Sequence, residues 1–366
     1  MRYFVKVYHM LKDSVVKLSS RKLVQVEGKD ASRFLQGILT NDINKLKQRS
    51  SMYASFLTAK GRILGDCNVI RVNEETFWID YDASSKEGLQ NHWKRYKLRM
   101  KVSIEDRSDQ FNILALLPAL YRYPGLQKTS LDGESAIFDK LETAYGSRHL
   151  IFTDPRSKMF GIRAVVEGND ESIVHDAFES ADASIFDDRR IFLGAAEGSE
   201  LHDLIPLEAN LDALDGVSFS KGCYVGQELM ARTHFKGLVR KRIIPCAILP
   251  AGDQAKELDN LQAAFRSIDD REAISLREYL LNTPALAGQL DVQRGTKVIC
   301  TESSKPIGSV IAIAPGIRAA LAMIRLEHLS HYQFTTPDGA FRLIPYQPFW
   351  WDRLESSSGK ILMTRT

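Results

Sequence analysis

Lys221-Gly222-Cys223-Tyr224-Val225-Gly226-Gln227-Glu228 is the stretch on which the reading of this chain turns. Two glycines bracket a cysteine, and Gln227-Glu228-Leu229-Met230-Ala231-Arg232 suits the start of a helix. A thiol placed just before a helix amino terminus faces unpaired N–H groups and the positive end of the dipole, which favours thiolate over thiol. Lys221 is expected to add to that field, and Gly222 and Gly226 to let the backbone turn tightly. Thiolate is the form that attacks electrophiles or ligates soft metals. The other cysteines, Cys67, Cys246 and Cys300, sit in apolar or alternating runs and read as small buried hydrophobes. No C-x-x-C occurs, which excludes a disulfide framework and argues against a four-cysteine cage within the chain. A cysteine nucleophile would want a histidine oriented by a third group. His234 lies eleven residues on, with no evident partner. Nucleophile, redox centre and one ligand of a metal shared with a second protein all stay open.

Outward from this run, the chain has ordinary globular composition: 366 residues, 44% apolar and 26% charged, enough for two or three domains. No run approaches eighteen consecutive apolar residues, so no transmembrane helix and no membrane insertion are expected. The net charge of +3 is unevenly placed. The first 22 residues hold six Lys or Arg against Asp13, leaving 43 basic and 45 acidic side chains in the rest. Phe4, Tyr8, Leu11, Val15 and Leu18 fall at helical spacing. Residues 1–22 therefore read as a basic, amphipathic mitochondrial targeting peptide.

From Leu23 the periodicity changes. Leu23–Val26 alternates like a strand, Gly28 breaks it, and Asp30 is placed to cap a helix over Ala31–Ile38. Strands are expected at 53–57, 62–72 and 76–81, a helix over 86–95 and a strand over 97–104. Further strands at 111–117, 147–152 and 162–166, with a helix near 171–179, indicate α+β architecture. After the strand 243–249, residues 251–294 read as an inserted helical or mobile segment. Short strands at 296–300, 308–314 and 319–325 suggest a small C-terminal β-barrel, with the aromatic tail 346–351 sealing it.

Residues 221–228 match the K-G-C-[FY]-x-G-Q-E signature, and the chain resembles the YgfZ-type, folate-binding-like family. The likeness extends to Leu204–Asp212, to Arg190 with Ala195-Ala196-Glu197-Gly198, to Gly28 through Asp42, and to Gly61–Leu64. With the basic leader, it looks most like the mitochondrial iron–sulfur assembly branch related to the glycine-cleavage T-protein. The resemblance implies a three-lobed T-protein-like (aminomethyltransferase folate-binding) fold, with residues 23–242 as the two folate-binding-type lobes and 243–366 as the barrel domain. It implies late maturation of 4Fe–4S proteins in the mitochondrial matrix with A-type iron–sulfur scaffold proteins. Cys223 would then be a ligand to a 2Fe–2S cluster shared with that partner. Lys221, Gly222, Tyr224, Gly226, Gln227 and Glu228 would support its loop, with Gln227 and Glu228 capping backbone N–H groups. For tetrahydrofolate it points to Asp66, Arg190 and Glu208. T-protein relatives carry an adjacent acid pair where this chain has Gly65-Asp66, which argues against aminomethyl transfer.

Two alternatives remain beside that reading. One is a folate-dependent one-carbon transferase. The other is an RNA-associated factor, through Lys94, Arg95, Lys97, Arg99 and Lys101 interleaved with Trp93 and Tyr96. The near-neutral remainder of the chain and the alternation over 97–101 favour a solvated strand face instead, so no nucleic acid is expected.

Overall fold

The computed structural model describes residues 13–118, 150–168, 178–251, 290–331, 334–346, 348 and 350–351. Most of the leader, the helix expected near 171–179 and most of 251–294 lie outside the described residues.

The first described element is strand β1 (Ser14–Lys17), so the helical spacing that runs through Val15 falls on a strand there. The β-branched pair Val15–Val16 is buried on both faces of a strand, where branched side chains pack well. Strand β2 (Arg21–Glu27) leads to helix α1 (Ala31–Ile38), which buries Ala31, Phe34, Leu35 and Ile38 along one face. Asp30 makes no side-chain cap; its carboxylate accepts from the Lys101 N–H instead. Strands β3 (Ser51–Leu57), β4 (Ile63–Arg71) and β5 (Thr76–Asp82) form an antiparallel meander. Helix α2 (Lys86–Lys97) runs past the expected strand start, and β6 covers only Ser103–Asp106. Lys94, Arg95 and Lys97 thus complement a helix carboxyl terminus rather than decorate a strand. Trp93 lies on the buried face of that helix, so it is no platform for base stacking.

β2 to β6 make one five-stranded sheet, ordered β3-β4-β5-β2-β6. Strands β7 (Phe111–Leu117), β8 (Leu150–Thr153), β9 (Ile162–Glu167) and β10 (Glu179–Ala181) join β1 in a second, ordered β10-β1-β7-β9-β8. Helix α3 (Ala183–Phe192) follows, and helix α4 (Gln227–Lys236) precedes the third lobe. That lobe is a closed six-stranded barrel of β11 (Lys241–Pro250), β12 (Lys297–Cys300), β13 (Pro306–Ala314), β14 (Ala319–Arg325), β15 (Phe334–Thr335) and β16 (Phe341–Pro345). The architecture is α+β and three-lobed.

The aromatic tail does more than seal the barrel. Trp350 is fully buried and its indole N–H donates to the Leu193 carbonyl, while the Tyr346 hydroxyl donates to Phe192 O. Both bonds tie the barrel to the carboxyl end of α3.

Candidate functional site

The signature loop is held on both sides of its thiol. Before it, the Lys221 ammonium donates to the carbonyls of Gln36 (2.7 Å), Leu39 (2.7 Å) and Asn41 (2.9 Å). An ammonium has three donors, and all three close off carbonyls at the end of α1. Lys221 is therefore turned away from the role expected of it, adding to the field at the sulfur. Burial pushes its pKa down to about 8, with Asp42 partly opposing. Its ammonium also lies 4.7 Å from the Tyr224 ring centre. Burial raises the Tyr224 phenol to about 12.

Beyond the thiol, Val225 N–H donates to Gly37 O (3.0 Å) and Tyr224 N–H to the Gln227 side-chain oxygen (3.1 Å). Gln227 thus caps the loop as expected, whereas Glu228 is exposed on the first turn of α4. Gly226 has φ +81°, and a Cβ there would stand 2.5 Å from Thr58 O. Gly61 faces it with φ +77°, where a Cβ would stand 2.8 Å from Gly226 O and 2.7 Å from Leu229 Cβ. The two glycines dock the signature onto the β3–β4 hairpin. Gly222 needs no such allowance: nothing lies within 4 Å of a Cβ placed there.

Between these anchors Cys223 is exposed, while Cys67, Cys246 and Cys300 are buried. Burial raises the Cys67 and Cys246 thiols further from ionisation. Among the described residues, no three His, Cys, Asp or Glu side chains gather as a metal site. Phe219, at the head of the loop, stacks on His234 of α4 with ring centres 3.6 Å apart.

The three residues expected at a folate site are not brought together. Asp66, on β4, is buried and accepts from Gly198 N–H (2.9 Å), with the Arg21 guanidinium 3.6 Å away. Arg190, on α3, forms a two-pronged pair with Glu200 (2.7 Å each) and a further pair with Asp187 (2.8 Å). Glu208 stands beside the barrel, 3.4 Å from the Lys241 ammonium.

Asp66 instead belongs to a buried ion cluster between the two sheets. Arg156 pairs with Asp154 (2.7 Å) and Glu197 (2.5 Å), and Arg163 reaches both at 3.2 and 3.3 Å. Arg21 pairs with Asp80 (2.5 Å) and lies 3.6 Å from Glu197. The Arg156 guanidinium also packs on the faces of Phe160 and Tyr53, centres 4.4 and 5.2 Å away. Burial pushes the Glu197 carboxyl up, but Arg156, Arg163 and Arg21 outweigh it and hold Glu197 below the usual carboxylate range. At Asp66 burial prevails over Arg21 and raises the pKa. A cavity of about 820 Å³ bordered by Asp154, Arg156 and Arg49 lies on one side of this cluster. Another of about 380 Å³, bordered by Arg21, Arg190 and Glu197, lies on the other. The sequence reading missed Arg21, Asp154, Arg156 and Arg163 as site residues. One signal was present: Arg163 is a lone charge inside the apolar run Ile162–Val166.

Comparison with known proteins places these features. The family model of the GCVT N-terminal domain matches residues 12–117, and that of the CAF17 C-terminal β-barrel domain matches 240–353. The chain is 36% identical over 315 residues to a mitochondrial iron–sulfur cluster assembly factor IBA57 homologue of Dictyostelium discoideum, covering 76% of this chain and 73% of that protein. To the namesake of Neurospora crassa it is 37% identical over 254 residues, covering 66% and 55%. Among solved structures, the glycine cleavage system aminomethyltransferase T of Bartonella henselae superposes with a TM-score of 0.66. It covers 95% of this chain and 89% of that one at 15% identity, a likeness of fold alone.

Proposed function

Since the chain belongs to the family of mitochondrial iron–sulfur cluster assembly factors that the IBA57 homologues represent, we propose that it matures 4Fe–4S proteins in the mitochondrial matrix by presenting Cys223 to a 2Fe–2S cluster carried by an A-type scaffold. The observation that carries this reading is the exposure of one thiol while the other three are buried. A soft thiolate suits iron–sulfur ligation, and a single ligand cannot hold a cluster without a second chain. On ligation Cys223 loses its proton and its sulfur completes a coordination shell otherwise supplied by the partner. The anchors at Lys221 and at Tyr224–Gly226 hold the sulfur in place, which lowers the ordering cost of the encounter.

The test mixes the chain with a cluster-loaded A-type scaffold and follows visible absorbance. Cys223→Ser is expected to leave the fold intact and to abolish the absorbance of the mixed complex. An unchanged spectrum would remove the cluster role.

A second reading, tetrahydrofolate binding, draws on the 380 Å³ cavity, whose size suits a bicyclic ring and whose wall offers Arg190 and Glu197 for hydrogen bonds. Glu208 does not reach that cavity, and Asp66 supplies one buried carboxyl where transfer chemistry would want two. Binding without aminomethyl transfer is the form of this reading that the residues fit. Titration of tetrahydrofolate is expected to give saturable heat, and a flat calorimetric trace would dismiss it.

A further inference from the structure

An exposed thiol that shares a cluster needs a docking surface beside it, and the apolar end of α4 meets that need. Phe235 and Leu238 are 69% and 67% exposed. Phe235, on the last turn of α4, is continuous with the thiol loop, and Leu238 follows just beyond the Gly237 cap. Phe219, four residues before Cys223, stacks on His234, whose ring meets Phe235 edge-on at 4.8 Å. The apolar pair is flanked by exposed Arg232 and Arg240. On the opposite side of the loop, exposed Lys60 neighbours Gly61, the residue that seats Gly226 and Leu229. Against these cations stands the exposed Glu228.

We propose that Phe235 and Leu238, flanked by Arg232 and Arg240, with Lys60 across the thiol loop, form the docking surface for an acidic face of the cluster-bearing A-type scaffold, placing the partner's cysteines over Cys223. This rests on the function proposed above and adds where the partner sits and what its surface must offer: an apolar hollow rimmed by carboxylates. Partly desolvated apolar anchors supply the affinity, while the cationic rim steers approach. Exposed apolar and basic groups together would also suit an anionic lipid surface. Two apolar side chains at and just beyond a helix end make a small footprint for a bilayer, and proximity to a thiol that has no co-ligands among the described residues favours a protein.

The experiment measures calorimetric binding of the apo A-type scaffold to the full chain and to three variants, Phe235→Asp/Leu238→Asp, Arg232→Glu/Arg240→Glu and Cys223→Ser. Both surface variants are expected to weaken binding about tenfold or more. Their thermal midpoints and their rate of Cys223 reaction with a thiol reagent should match the wild type, because the altered side chains lie outside the core. Cys223→Ser is expected to bind the apo scaffold normally and to lose only the shared-cluster absorbance. Wild-type affinity in both surface variants, with cluster absorbance still dependent on Cys223, would overturn this surface and leave the assembly role standing. Absence of any scaffold binding by the wild type would overturn both. Co-sedimentation of the wild type with phosphatidylglycerol vesicles, lost in Phe235→Asp/Leu238→Asp while scaffold affinity is unchanged, would reassign the face to lipid.

Discussion

Cys223 owes its accessibility to its neighbours rather than to its own surroundings. Lys221 is spent on three α1 carbonyls and Tyr224–Val225 on Gln227 and Gly37, so the exposed tip is only Gly222-Cys223. The two glycines of the signature should therefore respond very differently to a methyl group. Gly226→Ala forces a Cβ to within 2.5 Å of Thr58 O at φ +81°, where a side chain is strained in any case. A cost of about 1–3 kcal/mol is expected, together with a displaced loop. Gly222→Ala meets nothing within 4 Å and should stay within about 0.5 kcal/mol of wild type. Denaturation midpoints of the two variants, with the reactivity of Cys223 towards a thiol reagent, decide the matter. Equal behaviour would mean that the hairpin does not set the loop.

Elements with a clear pattern of their own were readable from the sequence, strands β7 and β14 as much as helix α1, and β1, which lacks one, was not. α1 declares itself through Ala31, Phe34, Leu35 and Ile38, four positions on one helical face that the structure buries. The thiol loop is equally local: Gly226 and Gln227, which seat it, lie within four residues of Cys223. β1 has no such signature. Val15 and Leu18 also fit a helical stripe, and only pairing with β7 and with β10, roughly 100 and 165 residues along the chain, makes Ser14–Lys17 a strand. The alternation over 97–101 misled for a related reason. The charges at 94, 95 and 97 serve the end of α2, and the chain then turns at Leu98 with φ +48° before pairing resumes at Ser103. For the tail, burial of Trp350 and Trp351 was foreseeable from composition, but the bonds of Tyr346 and Trp350 to the end of α3 depend on carbonyls at Phe192 and Leu193 left over by that helix end.

At the scale of the whole molecule, the first two lobes meet on charge as well as on apolar packing. Arg21 comes from the first sheet, Arg156 from the loop between β8 and β9 of the second, Arg163 from β9, and Glu197 from the segment after α3 that reaches all three. No local pattern announces such a cluster, because its members run from Arg21 to Glu197 and only Asp154, Arg156 and Arg163 are close in sequence. Its pH signature follows from the directions of the carboxyl shifts. Glu197 and Asp154 are held below the usual range, because the facing arginines outweigh burial. The unfolded chain therefore binds protons there first as pH falls. Their stabilisation is complete above the ordinary carboxylate range and drains away on acidification. Asp66 runs the other way: its raised carboxyl stabilises in acid and loses that contribution as pH rises through the folded value. Glu197→Gln should cost about 3–5 kcal/mol near neutrality, because it strands buried Arg156 and Arg163 without one of their counter-charges. The deficit should shrink at pH 4 and below, where wild-type Glu197 is itself losing its advantage. Chemical denaturation at both pH values measures the difference. An equal deficit in acid and at neutrality would show that Glu197 acts by packing alone, and that the seam between the lobes does not depend on its charge.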